Sequence, residues 1–410
     1  MTFEEFLDRS LTSYHATRNC EEILNENGFQ KLSLTEKWNL QEGGKYYLTK
    51  NQSALIAFKI GDLKDYIFNI QTAHVDSPSL KVKGDKLIDS VQGKRINVEE
   101  YGSAILYSFF DRPLKIAGRL LVENNGKIEG KIVESKNFVT IPSLAIHQNR
   151  VVNDGIKISI QNDMLPLVAS DSIESVYDFF DEKNIIDADL YLVPKVPAYY
   201  SGFNNEYINS ARLDNLTGCY SILEGLKNCK AVGISLGCLF DNEEIGSATK
   251  QGANSSLINN ILVKINSSLS KTEDDLIRAY ENGFMLSIDN AHATHPAHAE
   301  KSDLGFVKMG EGLVIKHNIK YTTDGYSSAL LKNLLKKNKI KYQDFYCHSD
   351  MRSGSTLGLF ISTRLNINSV DIGLCQLAMH SACEMMKRSD IEELITCSKL
   401  AFETNFNCEN

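Results

Sequence analysis

From Val232 to Phe240 the chain carries no charged residue, and Asp241-Asn242-Glu243-Glu244 follows at once. An apolar run of that length is expected to be a buried strand, and a buried strand obliges the chain to cover its sheet with further layers. Carboxylates at the end of such a strand are costly unless a cation or a hydrogen-bond donor neutralises them. Neighbouring glutamates point in different directions, so one can bind a metal while the other faces a water as general base.

The same alternation of apolar strand and helix extends along much of the chain. Helical patterns near Phe3–Leu11 and Thr17–Asn27 lead to strands around Ser53–Ile60 and Tyr66–Gln71. After about Ser201, strands at Val232–Phe240, Phe284–Ile288, Leu313–His317 and Val370–Cys375 alternate with helices at Leu216–Leu226, Leu257–Ile265, Tyr326–Leu335 and Ile391–Phe402. Between them, from about Leu80 to Pro194, short alternating segments such as Leu114–Val122 and Lys127–Glu134 are broken by turn signals, with one helical stretch expected at Ile173–Asn184. Residues 1–80 with 201–410 are therefore expected to form one α/β domain, and 81–200 an inserted β-rich domain.

With 410 residues, 42% of them hydrophobic, the chain can bury a large core. Its net charge of −8 gives no electrostatic reason to expect nucleic acid or an anionic membrane as partner. There is no run of about 18 apolar residues to span a bilayer. The N-terminal stretch carries Glu4, Glu5 and Asp8 where a secretory signal would carry bases. The nine cysteines are scattered without a C-x-x-C pair, which fits a reducing compartment, and the cytoplasm is the expected location.

Further candidate ligands sit at or near other strand ends, where open α/β sheets place their sites. His74-Val75-Asp76 offers an imidazole with a carboxylate partner, though an ordinary polar pair explains a lone H-x-D equally. Asp214, in Arg212-Leu213-Asp214-Asn215, is either a helix N-cap, as Asn215 could be too, or a carboxylate bridging two cations. In Asp289-Asn290-Ala291-His292-Ala293-Thr294-His295-Pro296-Ala297-His298, Pro296 argues against a helix that would align the three histidines. Asp289 is then the better ligand, with His292 a site candidate and His295 and His298 structural or surface residues. His380 follows the strand at Val370–Cys375 and could equally be a core histidine. Taken together, two zinc ions sharing a carboxylate need ligands of these kinds.

These motifs, in this order and rough spacing, resemble the aspartyl aminopeptidase family of co-catalytic dizinc aminopeptidases. The matching stretches are His74-Val75-Asp76-Ser77-Pro78, Arg212-Leu213-Asp214-Asn215-Leu216, Asp241 to Ser247, Asp289 to Pro296, and Leu377-Ala378-Met379-His380-Ser381. Ser13-Tyr14-His15-Ala16, Ile141 to His147, Gly312 to Lys316 and Gly354-Ser355-Thr356 add to the match, which spans nearly the whole chain.

The resemblance implies a zinc-exopeptidase-like core, a central mixed sheet flanked by helices, in which 81–200 is a dimerisation or lid domain. It implies one zinc held by His74, Asp289 and a bridging Asp214, and a second held by Glu244, His380 and the same Asp214, with Co²⁺ or Mn²⁺ as substitutes. Glu243 would be the general base and Asp76 would orient His74. His147 resembles a residue inserted into a neighbouring subunit's active site, and His292, Lys316 and Tyr321 resemble groups lining the substrate pocket. The implied activity is metal-dependent removal of N-terminal residues from peptides, acidic Asp or Glu among them, by a homo-oligomer, dimer-based and up to a dodecamer. Lys316 would pair with an acidic first side chain.

Two stretches depart from the family pattern. Lys316 to Tyr321 is shorter than usual, and Arg352-Ser353 stands where Pro-Cys is usual, which leaves the preferred residue open. The competing readings are a related dizinc aminopeptidase or deacylase of neutral or broad specificity, and a catalytically silent scaffold on the same fold. The scaffold reading expects a lost ligand or base, and none is missing.

Overall fold

The computed structural model describes residues 1–169, 173–351 and 353–406, so Arg352 lies outside the described residues. A nine-stranded sheet runs, in spatial order, Gln30–Lys31, Lys45–Lys50, Ala54–Ile60, Ile234–Phe240, Phe68–His74, Phe284–Ile288, Asn368–Gly373, Leu313–His317 and Tyr342–Tyr346. It is mixed, but four consecutive strands, Ile234–Phe240, Phe68–His74, Phe284–Ile288 and Asn368–Gly373, are mutually parallel. Their C-terminal ends therefore share one edge, with Phe240 in register with His74.

Side chains that alternate along a strand face opposite layers. Along Ala54–Ile60, Leu55 and Ala57 enter one core while Ile56 and Phe58 enter another. The first core is closed by the helices Phe3–Arg9, Ser13–Glu26, Leu213–Asn228, Gly325–Lys337 and Arg388–Phe402, the second by Leu257–Ser268, Glu273–Glu281 and Leu357–Leu365. Both faces being buried, Ile234–Phe240 has no exposed residue. Gly237 belongs to that requirement, because a Cβ there would come within 2.6 Å of Ile222 Cγ2 in the covering helix.

The segment that follows His74 builds separate sheets. Lys127–Glu134, Leu114–Asn124, Ile185–Pro194, Ser79–Val82 and Val98–Tyr101 form a five-stranded antiparallel sheet, and Leu167–Ala169, Gly93–Arg95 and Ile88–Ser90 a three-stranded one. A distinct core that includes Leu80, Ile116, Leu120 and Leu192 lies beneath them. A small cluster of Leu11, Tyr14, Tyr101, Ala117, Tyr191 and Val193 joins this segment to the N-terminal helices.

The helix expected at Ile173–Asn184 is replaced by a single 3-10 turn, Val176–Phe179, and the next strand begins at Ile185. Val176, Tyr177, Phe179 and Phe180 all pack on the same core. Val176, Phe179 and Phe180 keep the i, i+3, i+4 spacing that suggests a helix, but Ser175 and Phe180 on either side are extended (φ −128, ψ 147 and φ −127, ψ 149), so the helical run is confined to one turn. Among the described residues, no helix is long and apolar enough to cross a membrane.

Candidate metal centre

The shared C-terminal edge of the four parallel strands gathers the acids and histidines. His74 ends its strand, Asp289 follows Ile288, and Glu243 and Glu244 lie in a short turn after Phe240. Asp214 and His380 come from the second layer of the site, a five-stranded sheet of Tyr199–Ser201, Tyr207–Ser210, Glu384–Lys387, Cys375–Leu377 and Ala291–His292. Asp214 follows the second of these strands, and His380 lies in the loop between Cys375–Leu377 and Glu384–Lys387.

Three sets of ligand atoms lie within 4.8 Å of one another: His74, Asp214 and Asp289; Asp214, Glu244 and His380; and His74, Glu243 and Glu244. Asp214 is common to the first two. Its Oδ1 is 3.6 Å from His74 Nε2 and its Oδ2 is 3.6 Å from His380 Nε2. Nε2 of His74 is also 3.7 Å from Asp289 Oδ1, and Nε2 of His380 is 3.5 Å from Glu244 Oε1.

Separations of that size are too long for hydrogen bonds. They approximate the edges, about 3.3–3.6 Å, of a tetrahedron whose corners stand about 2.0–2.2 Å from a central zinc. Asp214 Oδ1 and Glu244 Oε1 are buried without a hydrogen-bond partner, a costly state unless a cation takes the lone pairs. The residues present fit bound metal.

Electrostatics point the same way. Burial, and then Asp289, Asp76 and Asp214 against the opposing His74, push Glu243 up to about 8. Burial raises Glu244 well above the usual carboxylate range. Burial lowers the His74 imidazole, yet Asp214, Asp289 and Asp76 outweigh it and hold His74 well above its ordinary value. The pocket holds more negative charge than its imidazoles and Lys316 offset, a setting that bound metal would neutralise.

The surrounding groups are fixed by hydrogen bonds. His74 Nδ1 is 3.0 Å from the main-chain carbonyl of Asp76, so that carbonyl orients the ring, while the Asp76 carboxylate stands 3.5 Å from it. That carboxylate instead accepts the backbone amides of Glu243 and Glu244 at 3.1 and 3.2 Å and the Tyr101 hydroxyl at 2.7 Å. Asp76 thus meets the His74 ring through its main-chain carbonyl, while its side chain organises the Glu243–Glu244 turn. His380 Nδ1 is 3.0 Å from the Ser103 carbonyl. Tyr101 and Ser103 lie in the segment 81–200, which therefore contacts Asp76 and His380 directly. Gly102 between them has φ +73, and a Cβ there would lie 3.0 Å from Glu244 Cβ.

The helix-cap reading of Asp214 fails. Asp214 and Asn215, joined by a cis peptide bond, leave helical dihedrals, and no side chain caps the Leu213–Asn228 helix. Lys316 is buried, with Nζ 3.2 Å from Asp289 Oδ2 and bonded to the carbonyls of Asp289 and Asn290 at 3.1 and 3.0 Å. That ammonium is committed to Asp289, contrary to its expected pairing with a substrate side chain. His292 and Tyr321 line a cavity of about 160 Å³ whose other walls include Val307, Phe345, Cys347, His348 and Met351. His295 and His298 are exposed, their rings 5.1 Å apart and tilted by 34°, with His298 beside Glu300. His147 is also exposed, and among the described residues no polar contact joins it to the cluster.

Sequence reasoning missed Glu384, Tyr101 and Ser103. An acid four residues after His380, within a stretch otherwise free of charge, was the one available signal for Glu384.

A family model for the aminopeptidase I zinc metalloproteases, peptidase family M18, matches residues 6–402. A probable M18 family aminopeptidase 2 of Clostridium novyi (strain NT) is 40% identical over 405 residues, covering 93% of each chain. Among solved structures, the Ape4 and Nbr1 complex contains a chain of TM-score 0.92 and 29% identity, with 99% of this chain and 86% of that one covered. The S. cerevisiae mApe1 dodecamer shares the fold, at TM-score 0.83 and 23% identity over 99% of this chain and 96% of that one. With the family match covering nearly the whole chain, the protein belongs to the M18 family of zinc metalloaminopeptidases, hydrolases that act on peptides.

Proposed function

We propose that the chain holds two cations, one at His74, Asp289 and Asp214 and the other at Glu244, His380 and Asp214, and that Glu243 is the general base. The observation that carries this reading is the Asp214 carboxylate, whose two oxygens face two different imidazoles at equal distance. Bound there, the cations would supply Lewis-acid polarisation of the scissile carbonyl and acidify the attacking water.

Glu243 shares the pocket of His74 and Glu244, and its carboxylate is raised toward neutrality by burial and neighbouring acids. A base so placed accepts the proton of the attacking water and returns it to the leaving amine, a contribution of about 10²–10⁴-fold. Asp76 keeps the Glu243–Glu244 turn in place through its two amide hydrogen bonds. His292 and Tyr321, at the wall of the adjoining cavity, would meet the first side chain of the peptide.

A second reading concerns which residue is removed. Lys316 is engaged by Asp289, which supports neutral first residues over acidic ones, although Lys301 and His348 share the cavity wall with Val307, Phe345 and Met351. A panel of aminoacyl anilides tests this, and faster turnover of Asp or Glu anilides than of Leu or Phe anilides would discard it.

The nitrogen and oxygen ligand set supports zinc and tolerates Co²⁺ or Mn²⁺. The eight cysteines among the described residues are unpaired, which supports a cytoplasmic location. A homo-oligomer is supported by the exposed Leu144, Ile146, Val151 and Ile156 around His147. In such an assembly His147 would reach a neighbouring subunit's site, and the segment 81–200 would act as the dimerisation domain.

Glu243→Gln is the direct test of the mechanism. The variant is expected to retain its metal, measured by elemental analysis, while turnover of any cleaved anilide falls at least 100-fold. Near wild-type turnover would remove Glu243 from the role of base.

A further inference from the structure

Asp214 and His380 carry the ligand atoms of the second cation site that lie farthest apart in the chain, and both occupy irregular backbone. His380 has φ +67, and Asp214 sits at φ −82, ψ 110 within a helix that is not helical there. Their amides are taken by one side chain. Glu384 Oε2 accepts the Asp214 N–H at 3.0 Å, and Glu384 Oε1 accepts the His380 N–H at 2.7 Å.

Glu384 opens the strand Glu384–Lys387, which pairs with Tyr207–Ser210 so that Ser210 lies opposite Glu384. This register brings the carboxylate beneath the turn into Asp214 and beside the loop that carries His380. The side chain is 1% exposed. Among the described residues it has no ion-pair partner, although it lies beside the acidic cluster. A buried, unpaired carboxylate next to other carboxylates is an adverse choice for packing alone. Two convergent N–H donors explain it, because glutamine offers one acceptor oxygen where a carboxylate offers two.

We propose that Glu384 is the positioning residue of the second cation site, its two oxygens locking the backbones of Asp214 and His380 so that their ligand atoms face the same ion. The proposal rests on the two-cation reading. Outer groups that hold ligands in this way typically set metal affinity over a 10–100-fold range.

The test uses the full chain, stripped with a chelator and titrated with Co²⁺ against a competing chelator while the visible spectrum is recorded. Glu384→Gln is expected to weaken one of two Co²⁺ ions by 10–100-fold, to change the spectrum of that ion, and to lower kcat more than it raises KM. Glu384→Asp keeps two acceptor oxygens on a shorter stem and is expected to recover part of that affinity. A Glu384→Gln chain that takes up both ions with wild-type affinity and spectrum overturns the proposal, even if its metal-free form melts at lower temperature. Should Glu384→Gln fail to fold, Glu384→Asp decides: a weakened second ion supports the role and an unaltered titration overturns it. Wild-type protein that binds fewer than two Co²⁺ ions removes the two-cation reading itself, and this inference with it.

Discussion

Lys316 is tied to Asp289 twice, its Nζ lying 3.2 Å from Oδ2 and 3.1 Å from the main-chain carbonyl of the same residue. Such a lysine holds the Asp289 carboxylate in place and offsets its charge, and on the proposed reading that carboxylate is a metal ligand. Lys316→Met is therefore expected to lower zinc affinity at the His74 side by about 10–100-fold. The ratio of Asp- to Leu-anilide turnover should stay unchanged once zinc is saturating. A lost preference for acidic anilides with unaltered zinc binding would return Lys316 to the substrate pocket.

Gly102 packs residues 81–200 directly against Glu244. Alanine there faces φ +73, which costs roughly 1–2 kcal/mol for an L-residue, and its Cβ meets Glu244 Cβ at 3.0 Å. Gly102→Ala should lower the melting temperature and weaken one cation, with Glu243 untouched. Thermal unfolding with and without chelator measures both effects, and unchanged values in both would show that the contact relaxes freely.

His15 makes stability depend on acid. It is 3% exposed, its Nδ1 lies 2.9 Å from Thr12 Oγ1, and burial, then Arg18, Lys195 and Arg212, lower it from 6.5 to about 3. Between those values the unfolded chain binds a proton that the folded chain refuses. Stability is thus complete above pH 6.5 and is lost as pH falls toward 3, at up to about 1.4 kcal/mol per pH unit from this group. Denaturant titrations at pH 7, 6 and 5 should show this loss, and His15→Asn should flatten it, though at a cost in stability at pH 7.

His147 gives a prediction about assembly. If it completes a neighbour's site, His147→Ala should reduce kcat while leaving bound zinc and subunit mass unchanged. Mixing that variant with Glu243→Gln should then restore activity above that of either alone, measured after subunit exchange. Failure to complement in a proven mixed oligomer would confine each site to one chain.

The candidate metal centre was legible where each candidate ligand has a chemical reason to interrupt its surroundings. Val232–Phe240 is apolar because both faces of the strand are covered, so Asp241, Glu243 and Glu244 stand out at its end. His74 and Asp289 stand out in the same way. Asp214 was ambiguous, since an acid before a helix satisfies a capping rule as readily as a bridging role, and it is the non-helical backbone there with the unpaired Oδ1 that argues against the cap. The stretch 173–184 misled because its apolar residues have helical spacing, yet they pack on the core from a single 3-10 turn with extended residues on either side.

The order of apolar strands and the acids and histidines that end them determined, from the sequence alone, an α/β chain with a metal-binding edge. Periodicity and the cost of burying charge are properties of neighbouring residues, and neighbouring residues are what a sequence displays. The tertiary structure alone decided that Glu384 serves Asp214 and His380, that Tyr101 and Ser103 reach in from the inserted segment, and that Lys316 turns to Asp289. Each of those relationships depends on where backbone groups from remote parts of the chain come to rest, and no local pattern encodes that placement.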